Sequence, residues 1–163
     1  MKYKNIKLSG LDQSNEFEND LIRGVGELAE ATGLKLSDAK NSVTVNAKKG
    51  SYLSVKLEGG KIELVYPSKV GFFRALSFVP AVIGGGEAVH EEATRADDML
   101  CYMGDMSRNA VYNLPSAKRM IRYLALMGYT SLMLYTEDTY EISEYPYFGH
   151  MRGRFTKEEL KEI

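Results

Sequence analysis

Two short, almost uninterrupted apolar runs, Met99-Leu100-Cys101-Tyr102-Met103 and Leu132-Met133-Leu134-Tyr135, constrain this chain more than any other feature. Runs of this kind suit strands buried on both faces. Between them Pro115 stands in the first turn of a helix carrying Ala117, Met120, Ile121, Leu124 and Met127, and Gly128 stops it. Strand, helix and strand with short joints make a βαβ unit, whose strands must run parallel.

That unit is not a finished domain. Parallel sheets need a layer on each face and further strands at their edges. After it come a long aromatic loop, Tyr140 to Arg154, and a capping box, Thr156 with Glu159, opening a helix that has scarcely two turns before Ile163. The expectation is the front portion of a longer βα-repeating protein. The alternative is a mixed sheet in which these strands join those of the first half.

The first half has another style. Phe17, Leu21, Ile22, Val25, Leu28 and Ala29 follow the helical period over Asn15 to Thr32, with Asn15 and Glu18 as a capping box and Gly33 as the stop. Gly24 and Gly26 weaken that helix, so packing must hold it. Val43, Val45 and Ala47 alternate as a strand. A two-residue turn at Gly59-Gly60 pairs Glu58 with Lys61, Leu57 with Ile62, Val55 with Leu64 and Leu53 with Tyr66, so charge and polarity match in one register. A helix from Lys69 buries Phe72, Phe73, Leu76 and Val79 until Pro80 breaks or kinks it. The result is a small two-layer α+β domain.

Gly84-Gly85-Gly86 could cradle a phosphate only between a strand and a helix N-terminus. Here a helix precedes it and Glu87, Glu91 and Glu92 follow, so it reads as a linker, with His90 a solvated loop residue.

Charge and composition exclude several functions. The 163 residues are 44% hydrophobic, and 21 Lys and Arg against 22 Asp and Glu leave a net charge of -1. No basic field for nucleic acid shows in those totals. Cys101 alone builds no disulfide, and His90 and His150 lack metal-ligand spacing, so neither metal nor cofactor is expected. The apolar stretch Val70–Ile83 is too short to span a bilayer, and Met1–Gly10 has no signal-peptide core. A soluble, cytoplasmic protein is expected, with no membrane partner.

In parallel α/β sheets, functional side chains gather beyond the carboxyl ends of the strands. Asp105, Ser107, Arg108 and Asn109 follow the first run, and Thr136, Glu137, Asp138 and Tyr140 follow the second. Neighbouring strands would set both clusters on one rim. Arg108 could there clamp hydroxyls or a carboxylate with its planar fork. Equally, Asp105 and Arg108 could pair with each other, and Asp138 could cap a turn. Glu137 and Asp138 are not a catalytic pair, because adjacent strand residues point to opposite sides. Tyr145, Tyr147 and Phe148 could stack on a sugar, although such loops more often pack on their own rim.

These residues resemble a known family. Gly104-Asp105-Met106-Ser107-Arg108-Asn109-Ala110-Val111 is similar to the end of the first barrel strand in glycoside hydrolase family 20, the exo-acting β-N-acetylhexosaminidases. Leu134-Tyr135-Thr136-Glu137-Asp138 resembles the family's His-x-Thr-Asp-Asp stretch, departing at Leu134 and Glu137. Tyr147-Phe148-Gly149 and Arg152 through Leu160 look like the passage into its second barrel helix, and Val70 to Leu76 resembles its accessory domain.

The resemblance implies an α+β accessory domain at 1–95 and, at 96–163, the first βα units of a truncated (β/α)8 TIM barrel. It implies removal of terminal N-acetyl-glucosamine or galactosamine from glycans by substrate-assisted chemistry, in which the sugar's acetamide attacks the anomeric carbon. The family's catalytic Asp-Glu pair has no match in these residues, so no catalytic residue is assigned and the chain alone is expected inactive. Arg108 maps onto the sugar-binding arginine and Asp105 onto the residue that holds it. An unpaired barrel edge would invite a homodimer. The rival is a non-catalytic carbohydrate- or protein-binding module with one continuous sheet.

Overall fold

The computed structural model describes residues 4–92, 99–108 and 110–163. It is a mixed α/β protein that divides into two compact units, Met1–Asp98 with Ala125–Gly128, and Met99–Leu124 with Tyr129–Ile163. The expected boundary at 95/96 lies outside the described residues.

The first unit holds β1 (Lys4–Ser9), α1 (Glu16–Glu27), α2 (Ala29–Thr32), β2 (Leu34–Leu36), β3 (Val43–Lys49), β4 (Tyr52–Glu58), β5 (Lys61–Tyr66), α3 (Lys69–Ile83) and β6 (Val89–Glu92). Its six strands run in the order β2-β1-β3-β5-β4-β6. β1 pairs parallel with β2 and β3, and β3 with β5, whereas β4 is antiparallel to β5 and β6. Ile6, Val45, Val55, Ile62 and Leu64 are buried with Leu21 and Val25 of α1 and Phe72, Leu76 and Val79 of α3.

The hairpin has the expected register for Glu58, Leu57 and Val55, and its last ladder pair is Ser54 with Val65, one step short of Leu53 with Tyr66. Leu57 stays half exposed although Ile62 opposite it is buried.

Other expectations need correction. The single helix over Asn15 to Thr32 is two, broken at Leu28, whose ψ is near 2°. Asn15 does cap the Glu18 N–H, but the Glu18 carboxylate accepts from Asp12 instead of closing the box. Pro80 does not end its helix, which continues to Ile83. His90 is not in a loop. It lies in β6 opposite Ser54, with its ring 4.9 Å from that of Tyr52.

The second unit holds β7 (Cys101–Asp105), α4 (Leu114–Met127, its last turn assigned to the first unit), β8 (Ser131–Tyr135) and α5 (Lys157–Glu162). β7 and β8 pair in parallel from Cys101 with Ser131 to Asp105 with Tyr135, as the βαβ pattern requires. They form a two-stranded sheet of their own, so they do not join the hairpin sheet. Asn113 caps α4, accepting from the Ser116 N–H, and Gly128, at φ 87°, ends it. The Thr156–Glu159 capping box is present in full.

Burial on both faces of this sheet is not found. Leu134, Met106, Ala117 and Phe155 pack together on one side. The alternate residues Met103 and Met133, cross-strand neighbours, are 57% and 51% exposed, and Met99 and Leu100 are exposed too. The period of two sends Cys101, Met103 and Asp105 to one face, and no described layer covers it.

Candidate functional site at the carboxyl rim of the parallel pair

β7 and β8 end level. Asp105 faces Tyr135 in the final rung, and the Met106 N–H donates to the Tyr135 carbonyl at 2.9 Å. The rim therefore brings together the two clusters expected from the sequence, and Asn109 alone among them lies outside the described residues.

Met106, fully buried, anchors the turn after β7. Asp105 Oδ1 accepts from both the Ser107 N–H at 2.9 Å and the Ser107 hydroxyl at 2.6 Å. Those two bonds, the hydroxyl first, hold the Asp105 carboxyl below the usual carboxylate range; burial opposes them and the Arg108 charge adds to them. Arg108 Nε lies 3.9 Å from Asp105 Oδ2, and the Arg108 side chain is 80% exposed. Asp105 thus spends its strong bonds on Ser107, leaving Arg108 in a loose ion pair with its guanidinium open to solvent.

After β8 the chain turns through Glu137, at φ 50°. The Glu137 carboxylate accepts from the Tyr135 hydroxyl at 3.0 Å, which raises the phenol above its usual range. Among the described residues Asp138 neither caps a turn nor shares a partner with Glu137. It pairs with Arg152, Nη1 to Oδ2 at 3.4 Å. The turn itself is closed by Thr139, buried, whose hydroxyl donates to the Thr136 carbonyl.

The aromatic loop is tied down at its base. Phe155 is buried, donates its N–H to Thr139 and accepts from Glu141. Gly149, at φ 64°, passes so near β8's exit that a Cβ would stand 2.0 Å from the Asp138 carbonyl. Arg154 donates to the Pro146 and Phe148 carbonyls. Phe148 packs on Tyr140 with ring centres 5.4 Å apart, whereas Tyr145 and Tyr147 face solvent. Tyr147 also meets the His150 ring edge-on at 6.3 Å, so two of the three candidate platform aromatics have a ring partner within their own loop.

Arg152, in the sequence only the start of the stretch resembling a passage into the second barrel helix, ties the rim together. Its Nη2 donates to the Ser107 carbonyl at 2.6 Å and the Arg108 carbonyl at 3.1 Å, joining the two post-strand loops. The usable signal was the Gly149…Gly153 bracket around it, a mark of left-handed turns. Arg108, Val111, Met151, Arg152 and Gly153 line an open cleft of about 450 Å³. Such a rim can grip hydroxyls or carbonyls.

No protein-family model matches the sequence, and no curated protein matches it. Solved structures do. An exo-β-N-acetylglucosaminidase of glycoside hydrolase family 20 from Vibrio harveyi, in complex with N-acetylglucosamine, superposes over 99% of this chain with TM-score 0.62 and 13% identity. A Streptomyces plicatus N-acetyl-β-hexosaminidase in complex with Thio-NAglucal gives 0.63 and 16%, and a mutant of it with N-acetylglucosamine gives 0.64 and 18%. The fold is glycoside hydrolase family 20-like. The chain spans 30% of the Vibrio protein's length and 38% of the Streptomyces one's, so the family 20-like likeness concerns part of each enzyme. Among the described residues no helix is long and apolar enough to cross a membrane.

Proposed function

We propose that this chain is the N-terminal part of an exo-β-N-acetylhexosaminidase. Residues 1–95 would be its accessory α+β domain and 96–163 the first βα units of its (β/α)8 barrel. Arg108 grips the outer hydroxyls of the terminal N-acetylhexosamine, and Asp105 holds the strand end from which Arg108 projects. The observation that carries this reading is an 80% exposed guanidinium at the carboxyl rim of a parallel pair, in a chain of family 20-like fold.

Two further observations support it. The face bearing Met103 and Met133 is open, and parallel strands are ordinarily covered on both sides; further barrel strands would make that face an interior layer. The neighbours are also enzymes about three times longer than this chain. Bond cleavage in the resemblance belongs to the sugar's acetamide and an Asp-Glu pair that these 163 residues lack. The chain by itself binds without hydrolysing.

The rival, a self-sufficient binding module, needed β7 and β8 to complete the hairpin sheet, and they pair with each other instead. The test is turnover of an aryl N-acetyl-β-glucosaminide. The full gene product should turn it over and the isolated chain should not.

A further inference from the structure

Resting on the sugar-gripping role proposed for Arg108, the geometry points to Arg152 as the positioning residue that sets the Arg108 main chain relative to the loop after β8. Arg108 is poorly placed by its own side chain, since its ion pair with Asp105 is 3.9 Å long. What holds it is its backbone. One Arg152 nitrogen, Nη2, takes the carbonyls on both sides of the Arg108 Cα, those of Ser107 and Arg108, and Nη1 faces the Asp138 carboxylate. These acceptors lie on the loops after β7 and β8, respectively, so one planar group spans the rim. A lysine ammonium is a compact point charge and could keep the pairing with Asp138, but it lacks the rigid fork.

The loop is built at a cost to present this group. Gly149, Met151 and Gly153 all adopt left-handed φ, 64°, 59° and 65°. Glycine takes that conformation freely; Met151 does not. A strained non-glycine residue beside a cleft that Arg108 and Arg152 both line marks a conformation kept for use.

The test uses the chain itself, isotope-labelled, with two readouts: exchange of the Ser107 amide, and titration with N-acetylglucosamine followed at the Arg108 Nε–H signal. Arg152→Gln and Arg152→Lys should each speed Ser107 exchange and weaken the sugar by about tenfold, the scale of a lost charge-assisted hydrogen bond. Arg154→Gln, which loses only contacts within the aromatic loop, should change neither. Full rescue by lysine, or faster exchange with unchanged sugar affinity, would overturn the inference. Unchanged exchange in Arg152→Gln overturns it as well. Sugar binding that is absent, or indifferent to Arg108→Ala, instead removes the reading of Arg108 and leaves Ser107 exchange to decide Arg152.

Discussion

Asp105 accepts two hydrogen bonds from a single residue, Ser107, through one carboxylate oxygen. Both favour the ionised form, so the folded Asp105 titrates below its unfolded value, ordinarily about 3.9. A depressed acid contributes stability above the unfolded value and loses it as pH falls through the folded one. Carboxyl-carbon NMR should therefore give Asp105 a midpoint below the ordinary range. Ser107→Ala should return it upward; a midpoint unmoved by that change would remove Ser107 as the cause.

Gly24 and Gly26 share α1 and should respond oppositely to alanine. A Cβ on Gly24 would meet the Phe73 ring at 2.4 Å, whereas one on Gly26 meets nothing within 4 Å. Gly24→Ala overpacks the helix against α3 and should cost about 1–3 kcal/mol. Gly26→Ala should stabilise by about 0.5–1 kcal/mol through helix propensity. Denaturant melts of the two variants check the pair of signs.

Gly149→Ala should damage the second unit. It combines a left-handed φ with a Cβ 2.0 Å from the Asp138 carbonyl, a main-chain atom that cannot rotate away. A loss of about 2 kcal/mol or more is expected. Amide exchange confined to the loop between β8 and α5 would show it, with β3 and β5 unaffected.

Much of this was legible in the sequence where neighbouring residues carried the information. The Gly59-Gly60 turn set the hairpin register because a slip would have opposed like with unlike. Thr156 and Glu159 are a local exchange of bonds, and the βαβ unit is set by chain length. β1 and β2 escaped because their pairing is parallel and distant, and two lysines in β1 obscure Ile6 and Leu8. β6, Val-His-Glu-Glu, is polar and docks only at the edge of β4. Of the two outcomes open at Pro80, the break does not occur, because helix α3 packs well enough to keep its last turn beyond the proline. The glycines around Arg152 mark its turn but not its partners, because two of the three are main-chain carbonyls 44 and 45 residues away. No residue type marks a carbonyl.

The open strip of Met103 and Met133 should make the isolated chain self-associate. Sedimentation at rising concentration should show a dimer, and Met103→Lys with Met133→Lys should return a monomer. A wild-type chain that stays monomeric would count against an unfinished sheet face.

The most direct measurement is kcat/KM of the full gene product on an aryl N-acetyl-β-glucosaminide, before and after Arg108→Ala. Clear turnover that falls by about tenfold to a hundredfold is expected, because charge-assisted bonds to the sugar hydroxyls are lost. No turnover, or a value untouched by the substitution, would contradict the assignment of this chain to the sugar-binding end of a hexosaminidase.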